Sequence, residues 1–255
     1  MPKTIIFDLD GTIYRGGHLI DGAIDTVEYL KEKGFEIFFM TNSATKSRVN
    51  VALKLSKMGI DATSNQVYCG SYILAKYIKT QVKASSAYVI GEVGIEEEFE
   101  KVGIKISDDA SIVAVGLDRK LTYDKLANAH KLINKGAKLI ASNGDVSFPV
   151  EDGSLPGAGS IVKALESSTG QRAIIVGKPS KFAMELLEKE NSIKREEIIF
   201  VGDRVDTDMV FAKNAGVKSI FVLSGSSKIE DLDGLKPDLL LNSVKEIHKN
   251  LENII

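Results

Sequence analysis

Thr4-Ile5-Ile6-Phe7-Asp8-Leu9-Asp10-Gly11-Thr12-Ile13 is the stretch from which the rest of the chain is read. Its first four residues are β-branched or aromatic, the pattern of a short strand buried on both faces. The run stops at two aspartates spaced i, i+2, followed by a glycine. Side chains alternate along a strand, but where the chain turns at the C-terminal end both carboxylates can converge above the sheet edge. Open α/β sheets bind ligands at that edge. Two carboxylates held together repel each other, and a proton or a metal cation relieves the repulsion. The competing reading is a plain strand-to-turn exit, because Asp and Gly are common turn formers.

Outward from this stretch, strands and helices alternate almost throughout. Strand-like runs are expected at Lys3–Phe7, Phe35–Met40, Ala87–Ile90, Ile112–Val115, Lys138–Ala141, Ala173–Val176, Ile198–Val201, Ser219–Leu223 and Leu239–Leu241. Helical spacing falls at Ile20–Lys33, Ser47–Met58, Ser71–Ile78, Ile95–Val102, Tyr123–Asn134, Ser160–Ser167, Lys181–Glu190, Thr207–Asn214 and Val244–Asn253. Such alternation implies βαβ units and a mainly parallel sheet, with the strand C-termini on one face. There are more strands than one modest sheet needs. Polar seams at Thr80–Ser86 and Ser167–Arg172 are plausible domain crossings. The expected organisation is a core over residues 1–80, an inserted domain over 81–172, and the remainder of the core over 173–255.

The 255 residues suffice for one large domain or two modest ones. A hydrophobic fraction of 44% with 27% charged residues fits an ordinary globular protein, and a net charge of −2 gives no nucleic-acid footprint. Cys69 is the only cysteine, so neither an internal disulfide nor a cysteine-cluster metal site is available. No segment approaches the roughly 18 apolar residues of a membrane span. The first strand begins too early for a signal peptide, and the expected location is cytoplasmic.

Three further strand ends carry chemistry. Phe35–Met40 runs into Thr41-Asn42-Ser43, whose hydroxyl, amide and backbone donors suit an anion such as phosphate and equally suit a helix cap. Ala173–Val176 runs into Gly177-Lys178-Pro179-Ser180, where a lysine at a strand end can neutralise a phosphoryl oxygen or an aspartate, or simply be solvated. Ile198–Val201 runs into Gly202-Asp203-Arg204-Val205-Asp206-Thr207-Asp208. Acids near a helix N-terminus are favourable in themselves. The sharper reading makes Asp203 a metal ligand at the strand tip, with Asp208 one helical turn further on and supporting it.

The four segments together resemble the haloacid-dehalogenase-like phosphohydrolases, matching their Asp-x-Asp-x-Thr, Ser/Thr, Lys and Gly-Asp-x-x-x-x-Asp motifs in order. Thr41-Asn42-Ser43, Leu155-Pro156-Gly157-Ala158-Gly159-Ser160, Val176-Gly177-Lys178-Pro179-Ser180 and Gly202-Asp203-Arg204 are similar to the NagD/p-nitrophenylphosphatase subfamily. The resemblance implies a Rossmannoid parallel-sheet α/β core with an inserted α/β cap of the C2 type. It implies Asp8 as nucleophile, Asp10 as general acid and base, and Lys178 as the group that offsets charge in the transition state. Thr41, Asn42 and Ser43 would hold the phosphoryl oxygens. Mg2+ would be bound by the Asp8 carboxylate, the Asp10 backbone carbonyl and the Asp203 carboxylate.

The implied activity is hydrolysis of small phosphorylated metabolites through an aspartyl-phosphate, with neither nucleic acid nor membrane as partner. A homodimer formed through the cap is compatible with the pattern. The alternatives are a phosphotransferase or phosphomutase of the same superfamily, or a non-catalytic phospho-ligand binding protein; retention of Asp8, Asp10 and Lys178 speaks against the last.

In the inserted region, Ser142-Asn143-Gly144-Asp145 follows a strand; Asn143 and Asp145 are candidates for contacting a leaving group or for a simple Asx turn. Glu96–Glu98 reads as a solvated helix face, Cys69 as a small buried hydrophobe, and His18, His130 and His248 have no ligand spacing.

Overall fold

A computed structural model describes residues 3–150 and 153–254. In chain order the strands are β1 (Thr4–Phe7), β2 (Tyr14–Arg15), β3 (His18–Leu19), β4 (Glu36–Thr41), β5 (Val67–Cys69), β6 (Ser86–Ile90), β7 (Lys105–Ile106) and β8 (Ile112–Val115). They continue with β9 (Lys138–Ala141), β10 (Ser147–Val150), β11 (Gly153–Pro156), β12 (Ile174–Ile175), β13 (Ile198–Gly202), β14 (Lys218–Val222) and β15 (Leu239–Leu241). The chain forms two compact units. One comprises the residues up to Thr41, Ala52–Tyr68 and the residues from Lys178 onward; the other comprises Asn42–Val51 and Cys69–Gly177.

The first unit is built on a six-stranded sheet of order β15-β14-β13-β1-β4-β5. The contacts of β1 with β13 and β4, of β13 with β14, and of β14 with β15 are all parallel. β1 lies at the centre and all four of its residues are buried, which explains an apolar run without alternation. Ile5, Ile6, Phe7, Phe39, Phe200 and Phe221 are completely covered, and Phe200 meets Phe211 edge-on with ring centroids 5.1 Å apart. Because these strands run parallel, the exits of β1, β4, β13 and β14 emerge on one edge of the sheet.

The second unit has its own parallel sheet, β12-β9-β8-β6-β7, and the antiparallel hairpin β10–β11. Its core gathers Tyr88, Ile90, Val113, Val115, Leu139, Ile133 and Leu165. The expected insertion, 81–172, lies wholly within this unit. The unit also takes in the helix Gly70–Tyr77, the strand β12 and the segment Asn42–Val51. β12 pairs with β9 through Ile174↔Ile140 and Ile175↔Ala141, so the strand that leads to Lys178 belongs to the second sheet.

Glu98 corrects one sequence reading. It is buried rather than solvated, accepts the Arg48 backbone N–H at 2.8 Å, and pairs with Lys101 at 3.0 Å. Neighbouring Glu97 accepts the Asn50 amide at 3.0 Å, and Ser71 Oγ donates to the Lys46 carbonyl at 2.7 Å. These bonds fasten residues 46–50 to the second unit. Two smaller differences concern element starts. Residues 14–19 form a small hairpin, and the first helix begins only at Ala23, because Gly22 sits at φ 77° in the left-handed region. The terminal helix is broken into a four-residue α segment, Ile247–Asn250, flanked by 3₁₀ turns.

Candidate active site

Three acids and one lysine meet at the exits of the first sheet. Asp8 follows β1, Asp203 follows β13, Asp208 lies one turn into the helical segment beyond, and Lys178 opens the returning chain. All four are buried. The carboxylates of Asp8, Asp203 and Asp208 each place an oxygen within 4.8 Å of the others. Lys178 Nζ donates to Asp8 Oδ1 at 2.5 Å, to Asp208 Oδ1 at 2.7 Å and to the Met40 carbonyl at 3.3 Å. It thus ties together groups 170 and 30 residues away in sequence.

Asp208 is a joint in this arrangement. Its Oδ2 accepts the backbone N–H groups of Asp203 (3.2 Å) and Arg204 (3.1 Å), so it fixes the chain direction just after β13. The Arg204 guanidinium turns away to make a two-point pair with Asp206, at 3.0 and 2.7 Å. Asp206 is therefore exposed and takes no part in the acid cluster.

The electrostatics follow from burial. Burial pushes the Asp8 carboxyl well above its ordinary value; Lys178 opposes the shift, while Asp208 and Asp203 add to it. Burial and then Asp208 push Asp203 up to about 6, with the Ser226 backbone N–H pulling the other way. Burial alone would lower the Lys178 ammonium, but Asp208 and Asp8 outweigh it and raise its pKa, so it stays charged. Three carboxylates facing one ammonium leave an excess of negative charge, and every donor is a hard oxygen. That set fits a hard divalent cation. Among the described residues, His18, His130 and His248 do not join it.

Asp10 is exposed beside the cluster, and Tyr14 Oη approaches its Oδ2 at 3.5 Å. Burial, then Asp10 and Asp8, raise the Tyr14 phenol, which remains protonated. Thr41 is buried at the end of β4. Asn42 and Ser43 fall in the second unit, where Asn42 Nδ2 donates to Asp145 Oδ2 at 3.1 Å and Asn143 Nδ2 donates to the Asn42 carbonyl at 2.8 Å. Asn143 Oδ1 in turn accepts the Asp145 N–H at 3.1 Å, the Asx turn anticipated for this loop.

A further strand exit went unread in the sequence. Ser224-Gly225-Ser226-Ser227 follows β14 and wraps the cluster: Ser224 Oγ donates to the Gly11 carbonyl (2.8 Å), and Ser226 N–H donates to Asp203 Oδ2 (2.8 Å). The available signal was its position, a Ser/Gly run at the C-terminal end of a strand adjacent to β13.

Comparison with known proteins agrees with this geometry. Residues 5–105 match the family model of haloacid dehalogenase-like hydrolases, and residues 175–247 match a second model, described as HAD-hydrolase-like. The 5'-nucleotidase YutF of Bacillus subtilis is 38% identical over 247 residues, covering 96% of each chain. The crystal structure of a 4-nitrophenylphosphatase from Thermotoga maritima superposes with a TM-score of 0.93 at 33% identity, covering 97% of both chains. NagD from Escherichia coli K-12 gives 0.89 at 28% identity, covering 96% of this chain and 98% of its own. The chain belongs to the haloacid dehalogenase-like hydrolases, and within them to the phosphatases of NagD and p-nitrophenylphosphatase type.

Proposed function

We propose that the protein is a Mg2+-dependent phosphomonoesterase acting on small phosphorylated metabolites, with Asp8 as the nucleophile. The observation that carries this reading is the Lys178 bridge. Lys178 occupies Asp8 Oδ1, and among the described residues no donor reaches Asp8 Oδ2, which leaves that oxygen with lone pairs to use.

In the first step an Asp8 oxygen bonds to phosphorus while the ester P–O bond breaks, and Asp10 gives its proton to the leaving alkoxide. In the second step Asp10 takes a proton from water as the water oxygen bonds to phosphorus. The Asp8–phosphorus bond breaks, releasing phosphate and restoring the carboxylate. Thr41, Asn42 and Ser43 hold the phosphoryl oxygens, and Lys178 offsets their charge. Asp8, Asp203 and the Asp10 carbonyl would hold Mg2+, which would supply fixed positive charge where negative charge develops. Residues 81–172 are read as the C2-type cap that selects the leaving group. The substrate class spans nucleotides and other phosphomonoesters, and the free thiol of Cys69 suits a cytoplasmic setting.

The test is Asp8→Asn, assayed with p-nitrophenyl phosphate and a panel of phosphomonoesters, with Mg2+ and with chelator. Turnover is expected to vanish in the variant while its circular dichroism shows that the chain still folds. Near wild-type rates in Asp8→Asn would defeat the covalent mechanism.

A further inference from the structure

The two oxygens of Asp203 have unlike surroundings. Oδ2 accepts the Ser226 backbone N–H at 2.8 Å and the Ser226 hydroxyl at 3.3 Å. A carboxylate oxygen offers about two lone-pair directions, so these two donors fill it. Among the described residues Oδ1 has only the Thr12 hydroxyl, at 3.5 Å, the outer limit of a hydrogen bond.

The loop that does this is held from several sides. Arg15 Nη2 donates to the carbonyls of Ser224 (2.7 Å) and Gly225 (3.2 Å). Ser224 Oγ is anchored on the Gly11 carbonyl, and Ser227 Oγ accepts the Val205 N–H at 3.1 Å. The approach is closer than any side chain allows. A Cβ at Gly225 would lie 1.7 Å from Asp203 Oδ2, and one at Gly11 would lie 2.5 Å from it.

We propose that the Ser224–Ser227 loop selects the metal: by occupying Asp203 Oδ2 it makes Asp203 a one-oxygen ligand and favours Mg2+ over Ca2+. The inference rests on the reading of Asp8 and Asp203 as holders of a divalent cation. It extends that reading by assigning the choice of ion to residues outside the acid cluster. Mg2+ requires a small, near-octahedral shell and binds carboxylates through single oxygens. Ca2+ takes six to eight oxygens and readily uses both oxygens of one carboxylate. A carboxylate restricted to one oxygen denies Ca2+ that extra contact and leaves the Mg2+ shell intact. Ser226 is thus a positioning residue, acting through Asp203.

The test is titration calorimetry of the full chain with MgCl2 and with CaCl2, without substrate, for wild type, Ser226→Ala, Gly225→Ala and Asp203→Asn. Ser226→Ala opens one lone pair on Oδ2, and Gly225→Ala drives the loop off the carboxylate. In both, the ratio of Ca2+ to Mg2+ affinity is expected to move toward Ca2+ by about tenfold, the scale on which outer partners tune metal sites. Equal weakening of both ions, or an unchanged ratio, overturns the proposal, because a loop that merely supports the strand end would not discriminate between them. If Gly225→Ala does not fold, Ser226→Ala decides. Failure of the underlying cation reading looks different: wild type then binds neither ion, or Asp203→Asn binds Mg2+ as wild type does.

Discussion

Replacing Lys178 by methionine removes one ammonium from among three carboxylates and keeps a stem of similar length. The side chain is 2% exposed and touches Asp8 and Asp208 at 2.5 and 2.7 Å, so no water takes its place without rearrangement. The carboxylates left behind have oxygens within 4.8 Å of one another. Two unit charges at that distance repel by about 3.5 kcal/mol at an effective dielectric constant near 20. Breaking a buried pair by deleting one partner costs about 3–5 kcal/mol in general, which agrees. The expected loss is therefore about 3–5 kcal/mol at pH 8 in chelator, or roughly 6–20 °C in melting temperature for a chain of this size.

The pH dependence has a definite direction. Burial already holds Asp8 above its ordinary value, and Lys178 is the group that pulls it back, so in the variant the native carboxyl binds its proton more tightly still. The unfolded chain releases that proton near pH 4. As pH rises from there through the raised native value, the folded state binds more protons than the unfolded one, and stability falls. The deficit relative to wild type should thus be small near pH 4–5, larger at pH 8, and reduced again by Mg2+. Denaturant unfolding of both proteins at pH 5 and pH 8, each with chelator and with Mg2+, measures it. A variant within about 0.5 kcal/mol of wild type at pH 8 in chelator, the scatter of a neutral surface change, refutes the reasoning. A deficit larger at pH 5 than at pH 8 refutes it equally.

Three further outcomes follow from the same contacts. Gly11→Ala places a side chain at φ 94° and sets its Cβ 2.5 Å from Asp203 Oδ2, so Mg2+ affinity should fall by more than the roughly 1–2 kcal/mol of backbone strain; calorimetry and melting curves compared side by side would expose an equal loss in both. With Asp203 held up at about 6 by burial and Asp208, cation binding below that pH must displace a proton, and Mg2+ affinity should drop about tenfold per pH unit for each proton released; an affinity flat from pH 5 to 7 would contradict this. Asp145→Ala deletes the acceptor of the Asn42 amide, a bond worth about 1–2 kcal/mol, and should raise KM several-fold while kcat holds; a change in kcat alone would count against Asn42 as a phosphate contact.

What the sequence discloses and what it hides divide along a physical line. A strand buried on both faces must be apolar throughout, so Thr4–Phe7 and Ile198–Val201 announce themselves, and with them the acids at their ends. Partner choice is not written locally. β12 is two residues long, and nothing in Ile174-Ile175 says that it pairs with Ile140-Ala141 in the second sheet rather than joining the first. Glu98 is chemically identical to Glu96, and the Arg48 N–H and Lys101 ammonium waiting against it make burial tolerable. The hairpin Ser147–Val150 with Gly153–Pro156 carries a proline in each strand and little alternation, so periodicity passes over it.

The same line runs through the site. Asp8, Asp203 and Lys178 stand out because charge at the end of an apolar run needs an explanation. Ser224-Gly225-Ser226-Ser227 does not stand out, because Ser and Gly are what any turn uses. Its role comes from a close approach that only the folded chain displays, two glycines leaving space against one carboxylate oxygen and a backbone N–H filling it. Groups that perform chemistry are therefore visible as letters, whereas groups that aim them are mostly backbone and small side chains. Among the latter Asp208 is the exception: it is an acid and so stands out as a letter, yet among the described residues two of its three hydrogen bonds are to main-chain N–H groups that hold Asp203 and Arg204 in place.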